Sequence, residues 1–150
     1  MPKALINPTI LSPAILYSLE EGIRALWLGD MENDYMVAIE DDIELSPVDI
    51  LFAPHHGRKS GRVPKTWLDK LEPRLIVVGE APSDELEYYS NYNTLTQNSA
   101  GDILFCCETG KTHVYVGSPS YSVNFLDRDP NASVVKGSLY YLGSFDCGDR

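Results

Sequence analysis

The sequence predicts an α/β protein, a mixed β-sheet with flanking helices. Three observations lead there. Short, nearly continuous apolar runs at residues 48–53 and 75–78 read as strands covered on both faces. Between them lies a helical stretch with Trp67, Leu68 and Leu71 on one face. Further on, Thr109-Gly110-Lys111 separates two strand-like segments, which is a hairpin signal.

The elements follow in chain order. Residues 10–19 read as a strand, turned at Glu20-Glu21-Gly22 into a second strand over 23–28. Gly29-Asp30 ends that strand. Asp30 is a good helix N-cap, and residues 31–40 suit a helix of about three turns. Glu40, Asp41, Asp42 and Glu44 oppose a helix C-terminal dipole, so they belong to a solvated loop rather than a metal site. After the strand at 48–53 comes a loop at 55–63 rich in Gly and basic residues. Pro64 suits the first helical position, and Pro73 stops the helix it opens. Residues 83–98 are polar and aromatic and read as irregular. Residues 103–108 and 112–117 form the hairpin, and Val134-Val135 with residues 139–142 can form another around Gly137.

At 150 residues, one domain spanning 1–150 is the natural count, with a core of useful size. Hydrophobic content of 43% and charged content of 23% are those of a soluble globular chain. The net charge of -10 argues against non-specific binding to nucleic acid, yet it leaves a phosphoester substrate open if cations are bound. No run approaches the roughly 20 apolar residues a membrane span needs. Pro8 and Pro13 break the apolar start, which has only Lys3 as a basic residue, so no export signal is expected. Cys106, Cys107 and Cys147 show no disulfide framework, which fits a reducing, cytoplasmic setting. Cys106 and Cys107 are strand neighbours, so they point to opposite faces.

The chemistry gathers at two strand ends. Leu28-Gly29-Asp30 closes one strand, and Ala53-Pro54-His55-His56-Gly57 closes the next. A carboxylate such as Asp30 can cap a helix, or bridge two cations with its two oxygens. Neutral imidazole is a common zinc ligand. On an extended backbone His55 and His56 diverge, so one is a ligand and the other touches substrate or supports the first. Arg58, Lys59 and Ser60 could hold a phosphate or carboxylate. His113 sits within a hairpin strand and is packed or exposed rather than a ligand.

These residues, with Trp67-Leu68 and Pro73-Arg74-Leu75-Ile76-Val77-Val78-Gly79, resemble the second half of the metallo-β-lactamase superfamily. The nearest branch is the ComEC-like hydrolases. The match runs over residues 10–118 in the right order, and 119–150 stay unassigned. The resemblance implies one αβ half of an αββα sandwich and a binuclear zinc or manganese site that cleaves phosphodiester or other ester bonds. It makes Asp30 the bridging ligand and places His55 or His56 as a late ligand, the pair also serving catalysis. Three departures accompany it. The family's His-x-His-x-Asp-His cluster is absent, the serine after His-His-Gly is Arg58, and the region of a later Gly-His-Pro holds Asn91, Tyr92 and Asn93 without histidine. The expectation is a hydrolase half, inactive alone, that needs a complementing N-terminal half. The alternative is a non-catalytic binding or homodimerisation module, with an apolar face where the other half would sit.

Overall fold

The computed structural model describes residues 12–82 and 84–149. The first sheet contains, as neighbours in this order, β1 (Ile15–Ser18), β2 (Arg24–Trp27), β3 (Ile50–Phe52), β4 (Leu75–Val78) and β5 (Thr94–Thr96). β1 runs antiparallel to β2, and β2 to β5 are parallel to one another, so the sheet is mixed. Among the described residues there are three short α-helices: α1 (Asn33–Ala38), α2 (Lys65–Leu71) and α3 (Gln97–Ala100). A second, antiparallel sheet has the order β6 (Ile103–Glu108), β7 (Lys111–Val116), β9 (Leu139–Asp146), β8 (Val135–Lys136). Among the described residues no helix is long and apolar enough to cross a membrane.

Strand alternation sorts the core into two layers. Leu26, Leu51, Ile76 and Val78 point to one side and meet Met36, Trp67, Leu68, Leu71 and Tyr89 from the connecting segments. Ala25, Ile50, Leu75, Val77 and Leu95 point to the other side and meet Val114, Val116 and Leu142 of the second sheet. The order is therefore helices, sheet, sheet. Both faces of β3 and β4 are covered, which explains their unbroken apolar sequences. Trp27 stacks on Phe52 at 4.3 Å, and Phe52 meets Phe105 edge-on at 6.1 Å, joining the two sheets.

Several expectations hold. β1 and β2 form the first hairpin, β4 coincides with residues 75–78, and the two-residue turn Thr109-Gly110 joins β6 to β7 with Gly110 at φ 75°. The hairpin around Gly137 is present as β8 and β9, with β9 running on to Asp146. Others need correction. The first strand is confined to Ile15–Ser18, and positions 10 and 11 of the expected strand lie outside the described residues. Asp30 is not a helix cap: α1 starts at Asn33 after Glu32, because the Met31 N–H donates to the Leu28 carbonyl in an intervening turn. Pro64 precedes α2 rather than opening it, and the helix ends on Glu72 in a left-handed conformation, one residue before Pro73. The stretch expected to be irregular over 83–98 contains, among its described residues 84–98, a 3-10 turn at Leu86–Tyr89, then β5 and the start of α3. β5 was hidden by its length of three residues, with only Leu95 apolar. The later strands belong to a separate sheet. They cover much of the face that a missing half was expected to leave bare.

Asp49 ties the N-terminal ends of the parallel strands together. Its carboxylate is fully buried, accepts the Arg24 N–H at 2.8 Å and faces the Arg74 guanidinium at 3.0 Å. Arg74 also pairs with Asp149. The Asp49 backbone donates to the Arg24 carbonyl and accepts from Leu75 N–H, so β2, β3 and β4 meet at one residue. Arg74 is partly exposed and keeps Asp149, so loss of Asp49 chiefly leaves the Arg24 N–H without its acceptor, typically at about 1–3 kcal/mol. Asp49→Ala is expected to lower unfolding free energy by about that amount in urea titration. A loss below about 1 kcal/mol would show that the clamp is dispensable.

Tyr89 supplies a pH dependence. Its ring is buried, its hydroxyl accepts the Val63 N–H at 3.2 Å, and burial pushes its pKa up to about 12. The folded value lies above the unfolded one of about 10, so the phenol's contribution is complete below pH ~10. It is lost as pH rises towards about 12. Unfolding free energy should fall by about 2–3 kcal/mol across that window. Tyr89→Phe should flatten the fall, and denaturant melts at stepped alkaline pH would read it. An unchanged slope in the variant would assign the loss to other tyrosines.

Candidate functional site

The C-terminal ends of parallel strands form the rim where open α/β sheets usually place their sites. Here β2 ends in Trp27, Leu28, Gly29 and Asp30, and β3 ends in Ala53, Pro54, His55, His56 and Gly57. The two rims are joined directly: the His55 N–H donates to the Gly29 carbonyl at 3.0 Å. Asp30 is exposed, and its N–H donates to Ser12 Oγ at 2.6 Å. Among the described residues its carboxylate has no hydrogen bond or ion pair.

The backbone at the histidines is not extended. His55 (φ 50°), His56 (φ 57°) and Gly57 (φ 91°) are three successive left-handed residues. Left-handed non-glycine residues cost of order 1 kcal/mol or more each and persist only when their surroundings fix them. The surroundings are visible. A β-carbon on Gly57 would lie 2.4 Å from Val78 Cγ1, and one on Gly61 would lie 2.7 Å from His55 Cβ and from the Pro54 carbonyl oxygen. One on Gly79 would lie 3.0 Å from His56 Cβ and Nδ1. The histidine turn is thus wedged between β4 and the following loop, with glycines wherever it presses hardest.

This turn separates the two imidazoles. His56 is exposed and shares a cavity of about 230 Å3 with Asp30, Trp27, Phe52, Gly79 and Gln97. His55 is half-buried, and its Nδ1 lies 3.4 Å from Ser60 Oγ, away from that cavity. Arg58, Lys59 and Ser60 line a different cavity of about 710 Å3 with Arg62, Glu32, Asp34, Glu85 and Tyr88. Its three cations face three carboxylates. The Lys59 N–H donates to Glu85 Oε2 at 2.8 Å, Arg62 stacks over the Tyr88 ring at 5.0 Å, and Tyr88 Oη donates to the Val63 carbonyl at 2.7 Å. Burial, with Tyr92 nearby, raises the Tyr88 phenol while Arg62 opposes the shift.

Asp30 and His56 therefore converge, His55 does not join them, and the basic loop faces a neighbouring cavity. Two residues escaped the sequence reading. Gln97 enters the Asp30 cavity from the start of α3, and Arg62 enters the basic one. Gln97 has no clear sequence signal, because the three-residue strand just before it, Thr94–Thr96, is too short to show periodicity.

Zinc takes four ligands in structural sites and at least three from protein in catalytic ones. Among the described residues no group of three or more His, Cys, Asp or Glu side chains is placed to hold a metal. Asp30 and His56 are two donors, and they do not complete a site by themselves. No family model and no curated protein matches the chain.

Gly57→Ala should destabilise the fold by more than the about 1 kcal/mol of a strained alanine, because its methyl also collides with Val78. The same variant should shift the His56 imidazole resonances. Unchanged stability and unchanged His56 signals would mean that the turn is not fixed by this packing.

Proposed function

We propose that the chain is the C-terminal half of a ComEC-like metal-dependent hydrolase acting on phosphodiester or other ester bonds. In this reading it is inactive until a complementing N-terminal half supplies the remaining ligands. The observation that supports it most is the meeting of Asp30 and His56 in one cavity at the ends of adjacent parallel strands, as the resemblance requires of the bridging aspartate and the late histidine. Divalent zinc or manganese would supply an activated water in the completed site. This chain's own share is more limited. Asp30 offers two carboxylate oxygens unengaged by other described residues. His56 offers an imidazole that can carry a proton to a leaving oxygen. Gln97 offers an amide that can hydrogen-bond substrate. Arg58, Lys59, Ser60 and Arg62 stand beside this cavity as a flanking contact for an anionic substrate, moderated by Glu32, Asp34 and Glu85.

A non-catalytic binding module is the second reading, and one observation favours it. The second sheet of this chain already covers the inner face of β2 to β5 and completes a core without another half. What stays open is an apolar cleft of about 450 Å3 lined by Tyr17, Trp27, Phe52, Leu104 and Phe105, between the free edges β1 and β6. A complementing half or a second copy could enter there.

Cobalt titration followed by visible absorption tests the first reading. The full chain should bind Co2+ weakly, and Asp30→Ala and His56→Ala should each weaken binding by about 10-fold or more, whereas His55→Ala should not. Loss of binding in His55→Ala alone, or no response of binding to Asp30→Ala and His56→Ala, overturns the site. A metal-free chain that forms a stable dimer at micromolar concentration supports the module instead.

A further inference from the structure

The outer face of the second sheet carries a second cluster of reactive groups. Cys106 on β6 is the register partner of His113 on β7, so their side chains share a face, with β-carbons roughly 4.5–5.5 Å apart. The segment from Asp129 to Lys136 lies over that face and closes a polar cavity of about 350 Å3. Cys106, Glu108, His113, Tyr115, Asp129 and Lys136 line it. Lys136 Nζ stands 5.9 Å from the centre of the Tyr115 ring and borders the same cavity as Cys106, whose proximity makes the lysine hold its proton more strongly than an ordinary lysine. Asp129 is held by the Asn131 N–H at 2.9 Å and lies 3.5 Å from Lys111, so much of its charge is already answered. His113 Nδ1 faces Tyr141 Oη at 3.4 Å, and its other ring nitrogen has no hydrogen bond among the described residues.

The other two cysteines make a useful contrast. Cys107 points to the opposite face, into the apolar cleft, and burial raises its pKa. Cys147 is buried beside Thr112 Oγ1 at 3.5 Å, and burial raises it as well. Reactive thiols sit beside cations in partly exposed places, and buried thiols in apolar ones stay inert. Cys106 and Cys107 are both half-buried, but of the three only Cys106 opens onto a polar cavity that also holds a lysine and an imidazole.

We propose that the Cys106–His113–Lys136 cluster is a thiol-exchange site that takes a small carboxylate-bearing disulfide and becomes a mixed disulfide. The thiolate sulfur of Cys106 attacks one sulfur of the incoming disulfide. A new S–S bond forms, the original S–S bond breaks, and the second half leaves as a thiolate. His113 accepts the Cys106 proton and returns it to that leaving group. Cys106 is oxidised and the departing sulfur is reduced, so no further oxidant is needed. Lys136 draws the carboxylate of the incoming molecule. Glu108, on the same strand face, opposes it and sets a preference that depends on Lys136.

The test uses the full chain at pH 7.5 with two probes, the dianionic aromatic disulfide DTNB and the dicationic disulfide cystamine. Intact mass and peptide mapping should show the first adduct at Cys106 with either probe, and Cys106→Ser should remove it. Lys136→Gln should slow DTNB several-fold, because the cation that attracts the probe's two carboxylates is gone. Cystamine should slow less, because the variant also removes a repulsion. His113→Gln should slow both probes by a similar factor, because the proton acceptor beside the thiol is gone. First modification at Cys107 or Cys147, or equal rates in Lys136→Gln and the parent chain with both probes, overturns the proposal. Lys136 is exposed, so a folding failure in that variant is not expected.

Discussion

The buried carboxylate of Asp49 is the constraint on which the rest of the structure depends. One residue receives the backbone of β2 and the guanidinium that follows α2, while its own backbone pairs on both sides. Strand register has a period of two, so a slip by a single residue would turn Leu51 out of the helical layer and Ile50 out of the inter-sheet layer. Asp49 blocks that slip at the N-terminal ends. The parallel strands are only three or four residues long, so register fixed at one end is carried to the other over roughly 10–13 Å. Asp30 and His56 lie at that far rim. A polar contact at one end of the sheet thus decides which side chains meet at the other.

The histidine turn adds a second level of control. Three left-handed residues in a row are unfavourable on their own, and packing against Val78, Gly79 and Gly61 fixes them. The result is a sharp divergence of two neighbours. His55 turns towards Ser60, and His56 turns into the Asp30 cavity. An extended backbone would also have separated the rings, but it would have placed one on each face of the sheet. The left-handed turn keeps both near the rim, with His56 at the Asp30 cavity and His55 against Ser60.

Much of this was legible in the chain itself, for physical reasons that differ by element. β3 and β4 could be read because burial on both faces leaves an unbroken apolar sequence, and α2 because Trp67, Leu68 and Leu71 share one helical face. The convergence of Asp30 with one histidine followed from two strand ends of similar pattern. β5 was illegible, because a three-residue strand with a single buried Leu95 carries almost no periodicity, and Gln97 went unseen with it. Asp30 as a helix cap was a misreading of local propensity, since the turn from Leu28 to Met31 displaced the helix start. The second sheet was half legible. Its hairpins are encoded by Gly110 and Gly137, yet their packing across the first sheet depends on contacts such as Phe52 with Phe105, distant in sequence.

The two sheets also explain why the chain has two chemically different faces. The inner face of β6 sends Phe105 and Cys107 towards Trp27 and Phe52, where burial suppresses thiol ionisation. The outer face sends Cys106 and Glu108 towards His113 and Lys136. Adjacent, equally half-buried cysteines are thus divided by the pleat alone between an apolar cleft and a polar cavity. The rim of the first sheet divides adjacent histidines by a different device, a left-handed turn. In both cases one of two identical neighbours is presented to a cavity with other polar groups, while the other, half-buried, is packed against its own cleft or loop. A substitution at the presented member should therefore change chemistry with little effect on folding, while the same substitution at the packed member should do the reverse.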